Sequence, residues 1–245
     1  MSAARRPPDG WGRVVVECVS VSRRFGRGPG AVAAVCEVSI TVHRGSRVGL
    51  TGPSGSGKST LLHLMAGLEA PTSGTVRWPG LGGPAHGRAG VVGVVFQGPS
   101  LIPALSVVEN VALPVVLAGA ARDEARQHAL QALDRLEIGE LARKLPEELS
   151  GGQAQRVAVA RVLACRPSLI LADEPTGQLD QQTGQRVVSV LLAAAEQCDA
   201  ALVIATHDPA MAQRLPVRWQ MVDGRLTTTS AEATAGQPVT GRQLR

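Results

Sequence analysis

The chain has 245 residues, a formal net charge of +5 and four cysteines, and 44% of it is hydrophobic, with no tyrosine. That length buries one substantial aliphatic core with room for a small second lobe. No apolar run reaches the roughly 18 residues of a spanning helix, no apolar segment follows the arginines of "MSAARRPPDG", and Cys18, Cys36, Cys165 and Cys198 lack metal-ligand spacing. Excluding a spanning helix, a secretory signal and a cysteine metal module leaves a soluble, cytoplasmic protein with buried, reduced thiols as the expectation, unless a partner holds it at a membrane.

Residues 1–12 are expected to form a loose amino-terminal arm. β-branched residues predict strands over Val14–Val21 and Val35–Val42, with the loop "RRFGRGPG" between them. A short apolar strand, Arg47–Leu50, runs into "LTGPSGSGKST", where Lys58 stands in a chain whose only other lysine is Lys144. Thr60–Leu68 predicts a buried helix with no polar face except His63. "PTSG" is a turn, followed by a strand through Trp78, a loop over Pro79–Gly90 and the strand "VVGVVFQ" ending at Gln97.

From Ser106 to Leu145 the pattern is helical. Ser106 and Glu109 have capping-box spacing, so each is expected to satisfy the other's free amide. Pro114 should kink or interrupt that helix. Ala125, Ala129, Leu130, Leu133 and Leu136 share one helical face. Residues from about 100 to 165 therefore predict a helical lobe inserted into an α/β body. "LSGGQ" opens a helix to about Cys165, and the strand "SLILAD", a helix over Gln181–Gln197 and the strand "ALVIAT" follow. Strands alternating with helices predict a parallel sheet with right-handed crossovers. Arg218–Leu226 predicts a last hairpin, and polar residues 227–245 a flexible tail.

"GPSGSGKS", Gly52–Ser59, fits G-x-x-x-x-G-K-[ST] between a strand and a helix, the context that pattern requires. Gly52, Gly55 and Gly57 let the backbone curl, with Pro53 in the loop but offering no N–H, so that successive N–H groups, with those of Ser54, Ser56, Ser59 and Thr60, surround an anion. The helix starting near Gly57 adds its positive end. Lys58 offers a compact charge to β- and γ-phosphates, and Ser59 a hydroxyl to Mg²⁺. "LILADEP" sets Asp173 and Glu174 at the carboxyl end of an apolar strand, the edge at which parallel sheets bind ligands. Asp173 suits a magnesium shell, and Glu174 suits proton acceptance from, or orientation of, an attacking water.

In order, "GPSGSGKST", "FQGPSLIP", "LSGGQAQRVAVAR", "LILADEPTGQLD" and "ATHD" resemble the motifs of an ABC transporter ATP-binding subunit, over Arg13 to about Leu226. "LSGGQ" is the specific element, because other P-loop NTPases share only the loop and the acids. The resemblance implies a P-loop NTPase core with a mainly parallel sheet, an antiparallel β subdomain and an inserted α-helical subdomain. It implies ATP and Mg²⁺ as ligands, Gln97 as the Q-loop glutamine that contacts Mg²⁺ and water, and His207 as the switch histidine on the γ-phosphate. Asp180 resembles the D-loop aspartate, and Phe25 stands where an aromatic stacks on adenine. Gln178 departs from the commoner asparagine or alanine. Ser150, Gly151, Gly152 and Gln153 resemble the signature that faces the nucleotide of an opposite subunit.

That placement implies a dimer, homodimeric or with a closely related second ATPase subunit, closing around two ATP molecules. A separate membrane permease would dock at the helical lobe near Gln97, leaving the chain peripheral on the cytoplasmic face of a bacterial membrane. "FQGPSLIPALSVVENVALPVVLAG" is most similar to the lipoprotein-releasing and macrolide-export branch. A second class, a soluble ABC-type ATPase acting on nucleic acid or ribosomes, would be expected to carry paired ATPase domains, coiled coils or an aromatic basic platform, and none is visible. A third, a non-hydrolysing ATP sensor, conflicts with Glu174 and His207.

Overall fold

The computed structural model describes residues 13–83 and 90–228. The expected amino-terminal arm, residues 84–89 of the expected loop, and the expected tail beyond Thr228 lie outside the described residues. In chain order the regular elements are β1 (Val14–Phe25), β2 (Val32–His43), β3 (Arg47–Thr51), α1 (Lys58–Ala66), β4 (Ser73–Arg77), β5 (Val92–Val95) and α2 (Val107–Leu117). Next come α3 (Arg122–Arg135), α4 (Gly151–Ala164), β6 (Leu169–Asp173), α5 (Gln181–Gln197), β7 (Ala201–Ala205), α6 (Pro209–Ala212), β8 (Val217–Val222) and β9 (Arg225–Thr228).

The strands form two sheets. One is antiparallel, in the order β2-β1-β4. The other runs β5-β6-β7-β3-β8-β9 and is parallel except for its last pair. Every residue of β6 and β7 is buried, as the unbroken apolar runs "LILAD" and "ALVIA" require of strands covered on both faces. Their side chains alternate between two cores. Leu169, Leu171, Ala201 and Val203 face α1 and the antiparallel sheet, packing with Leu50, Leu61 and Val15. Ile170, Ala172, Leu202 and Ile204 face the other way, packing with Val111, Leu133, Val157 and Leu191 from α2, α3, α4 and α5.

Several elements depart from the sequence expectation. β1 continues to Phe25 because Arg23, Arg24 and Phe25 keep pairing with Val35, Ala33 and Val32, so the first three residues of the expected loop are strand. α1 begins at Lys58 instead of Thr60, directly on the glycine loop. α2 is not interrupted: it runs through Pro114 to Leu117. A proline inside a helix costs about 3 kcal/mol. Burial of Val107, Val108, Val111 and Val115 offsets that, since each such side chain contributes about 1.5–3 kcal/mol. Only Cys18 of the four free cysteines is buried, because Cys165 and Cys198 end helices and Cys36 lies on the outer strand β2.

Candidate active site

Four neighbouring parallel strands, β5, β6, β7 and β3, end at one edge of the sheet, and each feeds one part of the site. β3 leads into the glycine loop, β6 ends at Asp173, β7 precedes Thr206 and His207, and β5 stops two residues before Gln97. The sheet bonding continues one step past the strands. Glu174 N–H donates to Ala205 O (2.9 Å) and Thr206 N–H donates to Leu50 O (3.0 Å). Loop, acids and histidine are thereby held in one frame.

The glycine loop is pressed between two other segments. A Cβ on Gly52 would meet Met221 O at 2.1 Å, and one on Gly57 would meet Ala34 O at 2.0 Å. Gly57, at φ +102°, caps α1 without a side chain, and no acid occupies the first turn, so the helix presents a free positive end. Gly55, at φ +77°, has nothing within 4 Å of its Cβ position. Lys58 is buried, and its Nζ donates to Gly52 O (2.8 Å) and Pro53 O (3.0 Å), which staples the start of the loop to its end. Ser56 Oγ is buried without a hydrogen-bond partner among the described residues. Ser56 O accepts from Gly224 N–H (3.0 Å), in the two-residue turn between β8 and β9.

Asp173 and Glu174 are both buried. Glu174 takes a left-handed backbone, φ +46°, a conformation that costs a residue with a side chain about 1–3 kcal/mol. Its amide bond to Ala205 and its carbonyl, which accepts from Gly177 N–H (3.1 Å), hold it there. The turn breaks the alternation of β6, so two successive carboxylates both reach the same cavity. His207 Nδ1 lies 2.9 Å from Glu174 Oε1, and with its hydrogen on Nδ1 the exposed ring donates to that carboxylate.

Ser54, Gly55, Gly57, Lys58, Ser59 and Thr60 line one cavity of about 620 Å³ together with Gln97, Asp173, Glu174 and His207. Gly52, Pro53 and Ser56 lie outside this lining and form the loop's support. The room beside Gly55 and the free helix end fit a polyphosphate. Ser59, Asp173 and Gln97 bring three oxygen-bearing side chains to the same cavity. Among the described residues no group of three or more His, Cys, Asp or Glu is arranged to hold a metal alone. A divalent ion here would complete its shell from phosphate and water, which is the habit of Mg²⁺.

The other predicted residues lie outside the cavity lining. Ser150 caps α4: its Oγ accepts from Gln153 N–H (3.2 Å), and Gln153 Oε1 accepts from Ser150 N–H (2.9 Å). Gly151 and Gly152 rest on the Gln178–Leu179 turn, where added Cβ atoms would meet Gln178 Oε1 at 3.0 Å and Leu179 Cδ2 at 3.2 Å. Asp180 caps α5 by accepting from Thr183 N–H (3.0 Å), and hydrogen bonding to Thr183 holds its carboxyl below the usual aspartate value. Phe25 is half-exposed at the end of β1, with the Arg23 guanidinium 4.6 Å from its ring centroid.

Residues 35–177 match the ABC transporter family model. The chain belongs to the ABC transporter family. A lipoprotein-releasing system ATP-binding protein LolD from Shewanella denitrificans is 41% identical over 215 residues, which are 85% of this chain and 92% of that protein. The ATP-binding cassette MJ0796, solved as a dimer in a post-hydrolysis state with ADP and Pi, superposes with a TM-score of 0.80 at 34% identity, covering 87% of this chain and 98% of that one. cbiO1 from Clostridium perfringens, part of the ABC transporter complex cbiONQ, gives a TM-score of 0.74 at 28% identity, with 88% and 87% coverage. The protein is an ATP-binding and ATP-hydrolysing subunit of an ABC transporter.

Three parts of this ABC transporter site have a role there that no sequence pattern marks. Ala34, from the antiparallel sheet, lines the cavity and supports Gly57 with its carbonyl. Thr206 is buried, and its Oγ1 accepts from Asp208 N–H (3.0 Å), which shapes the turn behind His207. The Gly224 turn braces the glycine loop from the far end of the chain. Alanine, threonine and a surface turn are too common to be singled out by pattern. Only the closed sheet shows where they meet.

Proposed function

We propose that the chain energises a transporter of the lipoprotein-releasing kind, as a homodimer or with a closely related second ATPase subunit, on the cytoplasmic face of a bacterial membrane. The observation that carries this reading is the single cavity where Lys58, Gln97, Asp173, Glu174 and His207 converge from four strand ends. Similarity to the lipoprotein-releasing ATP-binding protein of Shewanella denitrificans supports the branch. No helix among the described residues is long and apolar enough to cross a membrane. The reading therefore assigns the membrane path to a separate permease, docked against α2 and the segment after Gln97.

Loop N–H groups of Gly52–Thr60, Pro53 excepted, and the Lys58 ammonium grip the β- and γ-phosphates. Ser59, Asp173 and Gln97 hold Mg²⁺, which when bound offsets charge on the phosphate oxygens. Glu174 orients a water toward the γ-phosphorus and accepts its proton as the bond to the ADP oxygen breaks. His207 fixes that carboxylate and hydrogen-bonds the γ-phosphate. Phe25 offers the base the ring face that Arg23 leaves clear. Ser150, Gly151, Gly152 and Gln153 meet the γ-phosphate held by the partner copy, and Asp180 lies at that interface.

Two measurements test the reading. Phosphate release by the full chain should fall by at least about a hundredfold in Lys58→Ala, since electrostatic stabilisation of the transferred group is the main catalytic term. Purified in detergent from its own host, the chain should carry a multi-spanning protein, and lipoprotein in proteoliposomes of that complex should stimulate turnover. Salt-sensitive binding to RNA or DNA with no membrane partner would favour the soluble class instead.

A further inference from the structure

We infer that Gln155 is a positioning residue for Gln97, linking the signature helix α4 to the loop that carries Gln97; the inference rests on the role proposed above for that glutamine. Gln155 is fully buried on α4, five residues beyond the Ser150 cap. Its Nε2 donates to Phe96 O at 3.3 Å, so its side-chain hydrogen bond among the described residues is to the residue preceding Gln97. Its Oε1 is buried and has no partner among the described residues. The Phe96 ring in turn lies 5.9 Å from the His63 ring, tilted by 55°, and His63 belongs to α1, the helix that starts at Lys58. Phe96 is thus held by its ring from the phosphate-loop helix and by its carbonyl from the signature helix. Any rotation of α4 about α1 has to move the backbone at Phe96, and Gln97 is the next residue.

The orphaned oxygen separates this arrangement from ordinary core packing. A buried amide oxygen without a donor is costly, and a leucine or methionine would fill the same volume without that cost. The amide is intelligible if the donor bond serves one orientation of α4 and the free oxygen serves another, accepting a backbone N–H of the loop as it shifts. Gln155 then has two settings, and Gln97 follows them. A displacement of about 1 Å at a group that positions water or metal lowers turnover by one to two orders of magnitude.

The test uses the full chain with Gln155→Leu and Gln155→Met, two apolar replacements of different shape, alone and combined with Gln97→Ala. The expected result for Gln155→Met is a roughly tenfold fall in kcat for ATP, with KM within about twofold and an unchanged thermal midpoint. Added to Gln97→Ala, the same change should lower kcat by less than about twofold, because a residue acting through Gln97 has nothing left to position. Unaltered kcat in both single variants would overturn the inference. So would an equal loss in the Gln97→Ala background, which would mark a purely structural effect. Full turnover by Gln97→Ala alone would instead remove the role given to Gln97, and this link with it.

Discussion

Gly57 shows how a single residue type can be dictated from two directions. The motif requires glycine for the curl of the loop, and the fold requires it again because the Ala34 carbonyl occupies the Cβ position. Gly57→Ala must therefore move β2 or open the loop, at a backbone angle, φ +102°, that alanine rarely adopts. Binding of a fluorescent ATP analogue should weaken by at least about tenfold, the equivalent of 1.4 kcal/mol, and Gly55→Ala, whose Cβ has free space, should weaken it less. The first of these demands is legible in the sequence. The second is not, since nothing in "ITVH" or "VAAVC" marks Ala34 as the neighbour. The left-handed turn at Glu174 is hidden for the same reason: a glutamate after a strand carries no local sign of its backbone angle. Cys18 makes a separate residue-scale prediction. Burial, with a smaller effect from Glu17, pushes its thiol from 9.0 up to about 12. The folded protein keeps that proton where the unfolded chain has lost it, so this contribution is complete below pH 9 and is lost as pH rises toward 12. Urea titrations at pH 8.5 and 10 should show Cys18→Ala losing less stability across that interval than the parent, by about 1 kcal/mol.

Helix ends show where local sequence rules hold and where packing overrides them. Two segments carry the S-x-x-[EQ] pattern, and both start helices. At α4 the exchange is reciprocal between Ser150 and Gln153. At α2 Ser106 and Glu109 form the expected capping box, and the Glu109 carboxylate accepts from both the N–H and the hydroxyl of Ser106, at 2.8 and 2.5 Å. α2 also ignores the proline that the sequence offers as a break, since its valines are in the core. The hairpin of β8 and β9 is as legible as any element: Asp223 and Gly224, both at positive φ, make the two-residue turn that Asp-Gly favours. The use of that turn to brace the phosphate loop is a tertiary fact and could not be read locally. The two caps allow a controlled comparison. Ser106→Ala and Ser150→Ala should each cost about 1 kcal/mol by urea denaturation. Only Ser150→Ala should also lower ATP turnover at saturating substrate, because only that hydroxyl is assigned to a nucleotide.

At the scale of the molecule, the sequence shows a parallel sheet but not its order. Motifs at Gly52, Gln97, Asp173 and His207 span most of the chain, and only the order β5-β6-β7-β3 brings them to one edge. The same order sets a limit on what one copy can do. No signature residue lines the cavity that holds the phosphate loop. Gly151 instead rests on Gln178, which does line it, so the outward surface of the signature is rigidly tied to the rim of its own site. A second copy related by a twofold axis would place each signature over the other's cavity, and the terminal phosphate would then be the charge that both surfaces share. Closure of such a pair would depend on three separable features: an intact γ-phosphate, Lys58 beneath it and an uncharged Ser150 above it. Glu174→Gln, which preserves shape but removes the proton acceptor, should run at twice the monomer mass in light scattering with Mg²⁺ and ATP, and as a monomer with ADP. Adding Lys58→Ala should abolish the dimer by removing the grip from below. Adding Ser150→Glu should abolish it from above, by setting a carboxylate against phosphate, while ATP still binds each monomer. A dimer that survives Ser150→Glu would mean that the copies meet through another surface, and the signature would need a different ligand.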